Sequence, residues 1–407
     1  MGLVRDLSVD RFRGLAVFLM IIVQIWRDFY NLEFLSKLGS HKASTGLTVI
    51  EGMQFADLIA PMFLFAIALT YKKSFDSRCL KNGYKQTKKH FLKRYILLIG
   101  LGGILRSVES LVFWISHGYV EKQIDYLFFC GLIFLVLCIV GKLVSLIFKN
   151  DNISKLLSDV IFLLMTCIAA FCFLVTARDF FVQILNKNYL EFKVWGYWEA
   201  LQAIGAAGLV TLLFIRLKTI KRFAITTIIF VAYFIFHEIG NHQEIISIYA
   251  QQGGFLGIWG QSCIVLYGTV LSDLYYADSK RLSRFIPGLS VFGIVAVVIL
   301  QFVQPTMRSV SPSYILINVF ISGTVFAAIK LCSSMRFKFD LFNLFGKNAL
   351  IIYILQYVLI YGTKELIGYE VLNNASDLYS MCFTIIMISI LAIISYWLDK
   401  TGKIIKL

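Results

Sequence analysis

The chain reads DLIAPMFLFAIALTY over residues 57–71, KKSFDSRCLKNGYKQTKKHFLKR over 72–94 and YILLIGLGGIL over 95–105. An α-helix rises 1.5 Å per residue, so about 20 apolar residues cross a hydrocarbon core. The segment between the two apolar runs carries nine Lys or Arg residues and one Asp. Short loops rich in Lys and Arg stay in the cytoplasm. The stretch therefore predicts two transmembrane helices that are joined on the cytoplasmic side.

The same alternation continues along the chain and predicts an all-α, polytopic transmembrane helix bundle. Hydrophobic residues make up 58% of the 407 residues and charged residues 15%, whereas soluble domains carry about 25% charged residues. One transmembrane domain covering residues 1–407 is therefore predicted, with no sizeable soluble part. Twelve spans are expected near 14–30, 54–71, 95–115, 124–146, 156–176, 198–215, 223–238, 254–275, 286–303, 313–331, 342–362 and 379–398.

The net charge of +15 has a membrane explanation, and no nucleic-acid partner is expected. Basic residues precede the first predicted span and follow each even-numbered one. The positive-inside rule then places both chain termini in the cytoplasm.

Six of the eight cysteines fall inside predicted spans, and no Cys/His spacing typical of a metal site occurs. We therefore expect packing cysteines and no bound metal.

Polar residues at membrane depth mark the candidate site, because burying them in lipid is expensive. Gln24 lies in the first predicted span, and Asp57 opens the second. His41 lies in the loop between them, on the predicted outer side. A neutral histidine can accept a proton from an attacking amine or hydroxyl, and a carboxylate can orient it. Alternatively, His41 is a solvated loop residue, Asp57 caps its helix, and Gln24 forms an interhelical hydrogen bond.

A second polar group is expected at the outer end of the seventh span. It consists of His237, Glu238, His242 and Glu244. The spacing does not match the zinc-binding helix motif. These residues could line an acceptor site, although a solvated outer loop is the simpler interpretation.

The opening RDLSVDRFRGLAVFLMIIVQ resembles that of the heparan-α-glucosaminide N-acetyltransferase family of transmembrane acyltransferases, which has a Ser-x-Asp-x-x-Arg-Gly pattern. Here the pattern runs from Ser8 to Gly14. Six further segments resemble the family in the same order: HKASTGLTVIEGMQFADLIAPMFLFAIALTY, KRYILLIGLGGIL, WEALQAIGAAGLV, GGFLGIWGQSCIVLYGTVLSDL, SVSPSYIL and FGKNALIIYIL. Each string alone is weak, whereas the collinear order over residues 5–355 is specific.

The resemblance implies transfer of an acetyl or other acyl group from cytoplasmic acetyl-CoA to an amino sugar or glycan on the outer face. His41 would act as general base or as transient acyl carrier, and the residues do not decide between these. Asp57 would orient His41 or bind the acceptor. Gln24 would polarise the thioester carbonyl or hold the acceptor. Both N- and O-acylation stay open.

The CoA phosphates need cations at the cytoplasmic end of the bundle. Arg13 lies at the foot of the first span, and Lys347 and Asn348 lie at the foot of the eleventh. All three are candidate donor-binding residues. The alternative for each cation is an anchor to anionic lipid.

The chain also departs from the family pattern. The family core has ten spans, so residues 124–176 are expected to form an inserted two-helix hairpin. Gln24 stands where an Asn is usual, and the loop from His41 to Asp57 is longer than usual.

A bacterial cytoplasmic membrane is the expected location, and a homodimer is a further expectation. A secondary transporter or flippase for a sugar or lipid-linked substrate is the alternative function, because many transporters have twelve spans with both termini inside.

Overall fold

In the computed structural model, residues 6–29, 38–39, 52–117, 151–186, 200–239, 251–277, 281–334, 340–367 and 377–401 are described. Within these ranges the protein is all-helical, with no β-strand. The helices are α1 (Leu7–Phe29), α2 (Ile59–Asn82), α3 (Tyr84–His117), α4 (Asp151–Asn186), α5 (Ala200–Phe214), α6 (Thr219–Ile239), α7 (Gly254–Tyr276), α8 (Leu282–Leu300), α9 (Pro312–Leu331), α10 (Leu341–Lys347), α11 (Ala349–Ile367) and α12 (Asp377–Lys400). Short 3-10 turns precede α2 and α7 and follow α9.

Six described helices are long and apolar enough to cross a membrane. They include α2, α4, α6, α8, α9 and α12. The pair α10 and α11, bent by 94° at its break, would raise the number to seven if it counts as one span. Eleven predicted spans fall on described helices, whereas 124–146 lies outside the described residues. The total of twelve spans, the inserted hairpin and the side of each terminus stay predictions.

The basic segment that joins α2 and α3 is helical almost throughout. Helix α2 ends at Asn82, and Gly83 adopts a positive φ of 74° before α3 starts at Tyr84. A left-handed φ suits glycine, which has no Cβ to clash. The lysines at 81, 85, 88 and 89 are exposed. The two helices therefore continue past the predicted spans and present their cations to solvent.

Aromatic rings join five helices in the core. Phe326 of α9 packs edge-on against Phe12 of α1 at 5.8 Å, Tyr275 of α7 at 5.0 Å and Phe285 of α8 at 5.6 Å between ring centroids. Phe12 also contacts Phe65 of α2 at 6.0 Å. Each such pair contributes about 0.5–1.5 kcal/mol beyond its buried area. Helix α2 lies in the middle of this packing, whereas α4 exposes Leu156, Leu163 and Leu174.

Ion pairs join helix ends at one end of the bundle. Arg281 binds the carboxylate of Asp6, and Arg11 binds Asp340 at 2.6 Å. Arg222, which is fully buried, binds Asp273 and donates to the carbonyl oxygens of residues 215, 217 and 269. In the predicted topology this is the cytoplasmic end.

Replacing one partner of the Arg222–Asp273 pair should have an asymmetric effect. Asp273→Ala leaves a buried guanidinium without its counter-charge, which typically destabilises by about 3–5 kcal/mol. Arg222→Met should cost less, because Asp273 is 23% exposed and keeps its hydrogen bond from Thr219. Thermal unfolding of the detergent-purified variants would measure the difference. The exposed pair Lys72–Asp76 provides the control, and Asp76→Ala should cost no more than about 1 kcal/mol. Equal thermal unfolding midpoints for Asp273→Ala and Asp76→Ala would contradict the larger destabilisation expected for Asp273→Ala.

Candidate functional site

Asp57 lies buried at the start of the second predicted span. It belongs to a 3-10 turn, Phe55–Leu58, that leads directly into α2. Its side chain is 2% exposed, and its Oδ2 accepts a hydrogen bond from the backbone N–H of Gln54 at 2.8 Å. Its backbone carbonyl accepts from the hydroxyl of Tyr314 at 2.8 Å. Asp57 thus closes a capping box on this 3-10 turn rather than capping α2, and the tyrosine joins the turn to the start of α9.

The segment SVSPSYIL forms the start of α9. Ser311 is the N-cap, and its Oγ accepts from the backbone N–H of Tyr314 at 3.3 Å and of Thr306 at 3.0 Å. Pro312 occupies the first turn, where a missing N–H costs nothing. Asn318, one turn after Tyr314, donates to the Tyr314 carbonyl at 2.8 Å. This end of α9 thus carries several buried polar groups that bond to one another, whereas Asn318 Oδ1 has no hydrogen-bond partner among the described residues.

A histidine and a serine meet in the turn before α9. His237 Nε2 lies 3.1 Å from Ser309 Oγ, and its Nδ1 lies 2.9 Å from Glu238 Oε1. The Tyr233 hydroxyl, one turn earlier on α6, donates to the carbonyls of Ser309 at 2.8 Å and Val310 at 3.2 Å. Helix α6 thus holds the turn at two points.

The interpretation of His237 as a solvated loop residue is wrong. Helix α6 continues to Ile239, and the histidine is 1% exposed and contacts Ser309. Sequence reasoning also missed Ser309, although SVSPSYIL had been singled out as a string. His237 at predicted membrane depth was the signal that a buried partner was needed. His242 and Glu244 lie outside the described residues.

The glycine-rich start of α7 packs against the same turn. Gly253 has a φ of 75°, and a Cβ there would collide with the side chain of Val310. Gln261 Nε2 donates to Gln252 Oε1 at 3.0 Å, and Gln252 Nε2 contacts Met307 Sδ at 3.4 Å. Among the described residues, Gln261 Oε1 has no hydrogen-bond partner. The outer polar cluster, named for its predicted side of the membrane, consists below of five buried residues: Asp57, His237, Ser309, Tyr314 and Gln261.

The three donor-side candidates lie at the opposite end, each with an intramolecular partner. Arg13 pairs with Asp10 at 3.5 Å, and Lys347 pairs with Asp399 at 2.8 Å. Asn348, 2% exposed at the break between α10 and α11, donates to Ser395 Oγ at 3.2 Å. Arg13 and Lys347 keep about a quarter of their side chains exposed, at 25% and 24%. These contacts give each residue a structural role beside any donor-binding one.

His41 lies outside the described residues, so its distance to Asp57 is not defined. Gln24 lies within α1 and is half-buried. The structure therefore places Asp57 in the outer polar cluster without testing its predicted contact with His41. Among the described residues, no group of three His, Cys, Asp or Glu side chains is arranged to hold a metal ion.

Comparison with known proteins does not assign the chain to a family. No family model matches the sequence, and no curated protein matches it significantly.

Proposed function

We propose that this protein is a transmembrane acyltransferase. It would move an acetyl or other acyl group from cytoplasmic acetyl-CoA to an amino sugar or glycan on the outer face of a bacterial cytoplasmic membrane. The supporting observation is that three of the family-like segments, those that contain Asp57, Gly253 and Tyr314, meet in one buried polar cluster. Asp57 and Tyr314, 257 residues apart, share a hydrogen bond there, and Gly253 packs on Val310.

In this proposal the acceptor is bound at the outer polar cluster, and the donor enters from the end that carries Arg13. His41 is the general base or the acyl carrier, Asp57 orients it or binds the acceptor, and Gln24 contacts the reacting carbonyl. Arg13, Lys347 and Asn348 bind the CoA phosphates. Membrane lipid surrounds the bundle, and a homodimer is compatible with this arrangement.

Release of free CoA is the direct test of acyl transfer. Purified protein in liposomes would receive acetyl-CoA, with glucosamine as acceptor probe, and the CoA thiol would be measured by a colorimetric thiol reagent. We expect thiol release that depends on glucosamine and an acetyl mass on the sugar. Asp57→Asn protein is the control for non-enzymatic release. Uptake of labelled glucosamine without thiol release would contradict acyl transfer.

A transporter is the second candidate, and the 94° break between α10 and α11 favours it. Discontinuous helices often carry transporter substrate sites, although those sites lie near the middle of the membrane and this break lies at the end of the bundle that carries Arg13. Asn348, at the break, has an Oδ1 without a partner among the described residues. The uptake measurement above separates this candidate from the first.

Arg13→Ala should weaken acetyl-CoA binding more than acceptor binding. Hydrogen bonds to charged groups contribute about 1.5–3 kcal/mol, so the dissociation constant should rise roughly ten- to hundredfold. Arg13→Lys should fall between, because an ammonium cannot bind a phosphate in two-point fashion. Isothermal titration with acetyl-CoA would measure both.

The control is Lys85→Ala, which removes an exposed cation from the same predicted side. Its affinity for acetyl-CoA should equal that of the unaltered protein. An unchanged affinity in folded Arg13→Ala protein would leave Arg13 as a topology anchor only.

A further inference from the structure

We infer that Ser309, with His237 and Glu238, forms a nucleophile relay that takes the acetyl group from the donor before the acceptor receives it. The inference rests on the proposed function and assigns it a covalent intermediate. Ser309 would be the acyl carrier, so His41 would be left to activate the acceptor.

The hydrogen-bond directions favour proton transfer from Ser309. A carboxylate only accepts hydrogen bonds, so the Glu238 carboxylate accepts from Nδ1–H of His237 at 2.9 Å. Neutral imidazole carries one N–H, so Nε2 is then an acceptor and the Ser309 hydroxyl donates to it at 3.1 Å. A carboxylate, an imidazole and a hydroxyl in this order are the arrangement that activates serine nucleophiles in unrelated folds.

The backbone around Ser309 is strained and firmly held. Val310 has a φ of 53°, a left-handed conformation that is an outlier for a β-branched residue. Tyr233 donates to the carbonyl oxygens of Ser309 and Val310, and the glycines at 253, 257 and 260 lie against the Val310 side chain. Strained backbone of this kind clusters at active sites, where the surrounding structure fixes a reactive side chain.

Burial suits an acyl-serine ester and singles out one serine. Ser309 is 0% exposed and His237 1%, so water has little access to an ester formed there. Ser311 and Ser313 are equally buried, but Ser311 caps α9 and Ser313 bonds to Ser311 at 3.0 Å. Gln261 is held through Gln252 against Met307 of the same turn. Its Oε1, which has no partner within the described ranges, would accept a hydrogen bond from an acceptor hydroxyl or amine.

The reaction has two balanced steps. Ser309 Oγ attacks the thioester carbonyl carbon of acetyl-CoA while His237 Nε2 takes the hydroxyl proton. The C–S bond breaks, the CoA sulfur leaves with that proton, and acetyl-Ser309 remains. His41 then takes the proton of an acceptor amine or hydroxyl, which attacks the ester carbonyl carbon. The ester C–O bond breaks, the Ser309 oxygen leaves, and that proton returns to it, so both side chains regain their starting states. Glu238 stays a hydrogen-bond acceptor that orients the histidine.

Isotope exchange tests the first step without any acceptor. Purified protein would be incubated with acetyl-CoA and labelled CoA-SH, and transfer of label into acetyl-CoA would be followed. Acid quenching and peptide mass spectrometry would then locate the acetyl group. We expect exchange in the unaltered protein, with the acetyl group on Ser309. Ser309→Ala and His237→Gln should each lower exchange by at least about 100-fold.

Ser313→Ala is the matched control, because it removes a buried serine hydroxyl from the same segment without touching His237. Its exchange rate should stay within about twofold of the unaltered protein, because the Ser313 hydroxyl bonds to Ser311, whereas His237 bonds to Ser309. If Ser309→Ala does not fold, Ser309→Cys keeps a nucleophile, and the protein-bound acetyl group should become labile to neutral hydroxylamine. A label that resists hydroxylamine in Ser309→Cys protein overturns the inference.

The outcomes separate this inference from the proposed function. Glucosamine acetylation that persists at the normal rate in Ser309→Ala protein overturns the relay and leaves acyl transfer standing. An acetyl group found on another residue does the same. Unaltered protein that neither exchanges label nor releases CoA with glucosamine present overturns both. His41→Ala protein that exchanges normally but no longer acetylates glucosamine supports the division of roles.

Discussion

Gly346→Val is expected to abolish folding of the protein. A Cβ at Gly346 would overlap the backbone carbonyl of Asp10, and a Cβ at Gly14 would overlap that of Phe342. Asp10 and Gly14 are one turn apart on α1, as are Phe342 and Gly346 on α10. The two helices therefore cross in backbone contact, as small residues allow in membranes. Because the contacting groups on both helices are backbone, they cannot rotate away from an added Cβ as a side chain can.

The expected loss exceeds the usual effect of overfilling a core, about 1–3 kcal/mol. Fluorescence-detected size exclusion of detergent extracts would show it as aggregated or missing protein, and Gly14→Val should behave alike. Gly362 provides the matched control, because a Cβ there meets nothing within 4 Å. Gly362→Ala should be neutral or stabilise by up to about 1 kcal/mol, since alanine favours helix. A monodisperse Gly346→Val protein as stable as Gly362→Ala would disprove the close crossing.

The helices were predictable because apolar runs are bounded by charge. Predicted spans 254–275 and 313–331 match α7 and α9 closely, since both runs end at polar or charged residues. Helix α1 instead starts at Leu7, seven residues before its predicted span. Asp10 and Arg11 are tolerated inside it because Arg13 and Asp340 pair with them. Asp340 lies far along the chain from Arg11, and Arg13 approaches Asp10 only once the helix has formed. Composition alone therefore reveals neither partner.

The break in the eleventh span was not predicted. Residues 342–362 were expected to form one span, whereas α10 and α11 meet at 94°. Gly346, Lys347 and Asn348 interrupt the apolar run at the position of the break. Asn348 occupies the break and donates to Ser395 of α12. That hydrogen bond joins residues 47 positions apart, and a single sequence gives no sign of it.

The candidate site was predictable in part. Asp57 at the start of an apolar run indicated a helix-start carboxylate at membrane depth, and in the structure it is buried in the turn that leads into α2. Ser309 was not found, because a serine acquires chemical meaning only from its neighbours. Its histidine is 72 residues earlier in the chain and reaches it only after α6 and α9 pack together.

His41→Ala is expected to lower turnover by about 10²–10⁴, the usual contribution of a general base. The expectation rests on the position of His41 between the first two predicted spans, on its predicted outer side and on the matching loop of the resembling family. Acetyl-CoA binding should survive, because in the proposed function the donor phosphates bind at the opposite end, near Arg13. Asp57→Asn should be impaired as well.

The double variant decides whether His41 and Asp57 act as a unit. Removal of both should cost less than the product of the single effects, since one partner has no function without the other. The change would be measured as steady-state acetylation of glucosamine by purified protein in liposomes. His90→Ala is the matched control, because His90 lies in the basic segment at the predicted cytoplasmic end and should not affect turnover. Near-normal turnover in His41→Ala protein would remove His41 from the mechanism. The Ser309–His237 relay would then have to activate the acceptor as well as carry the acyl group.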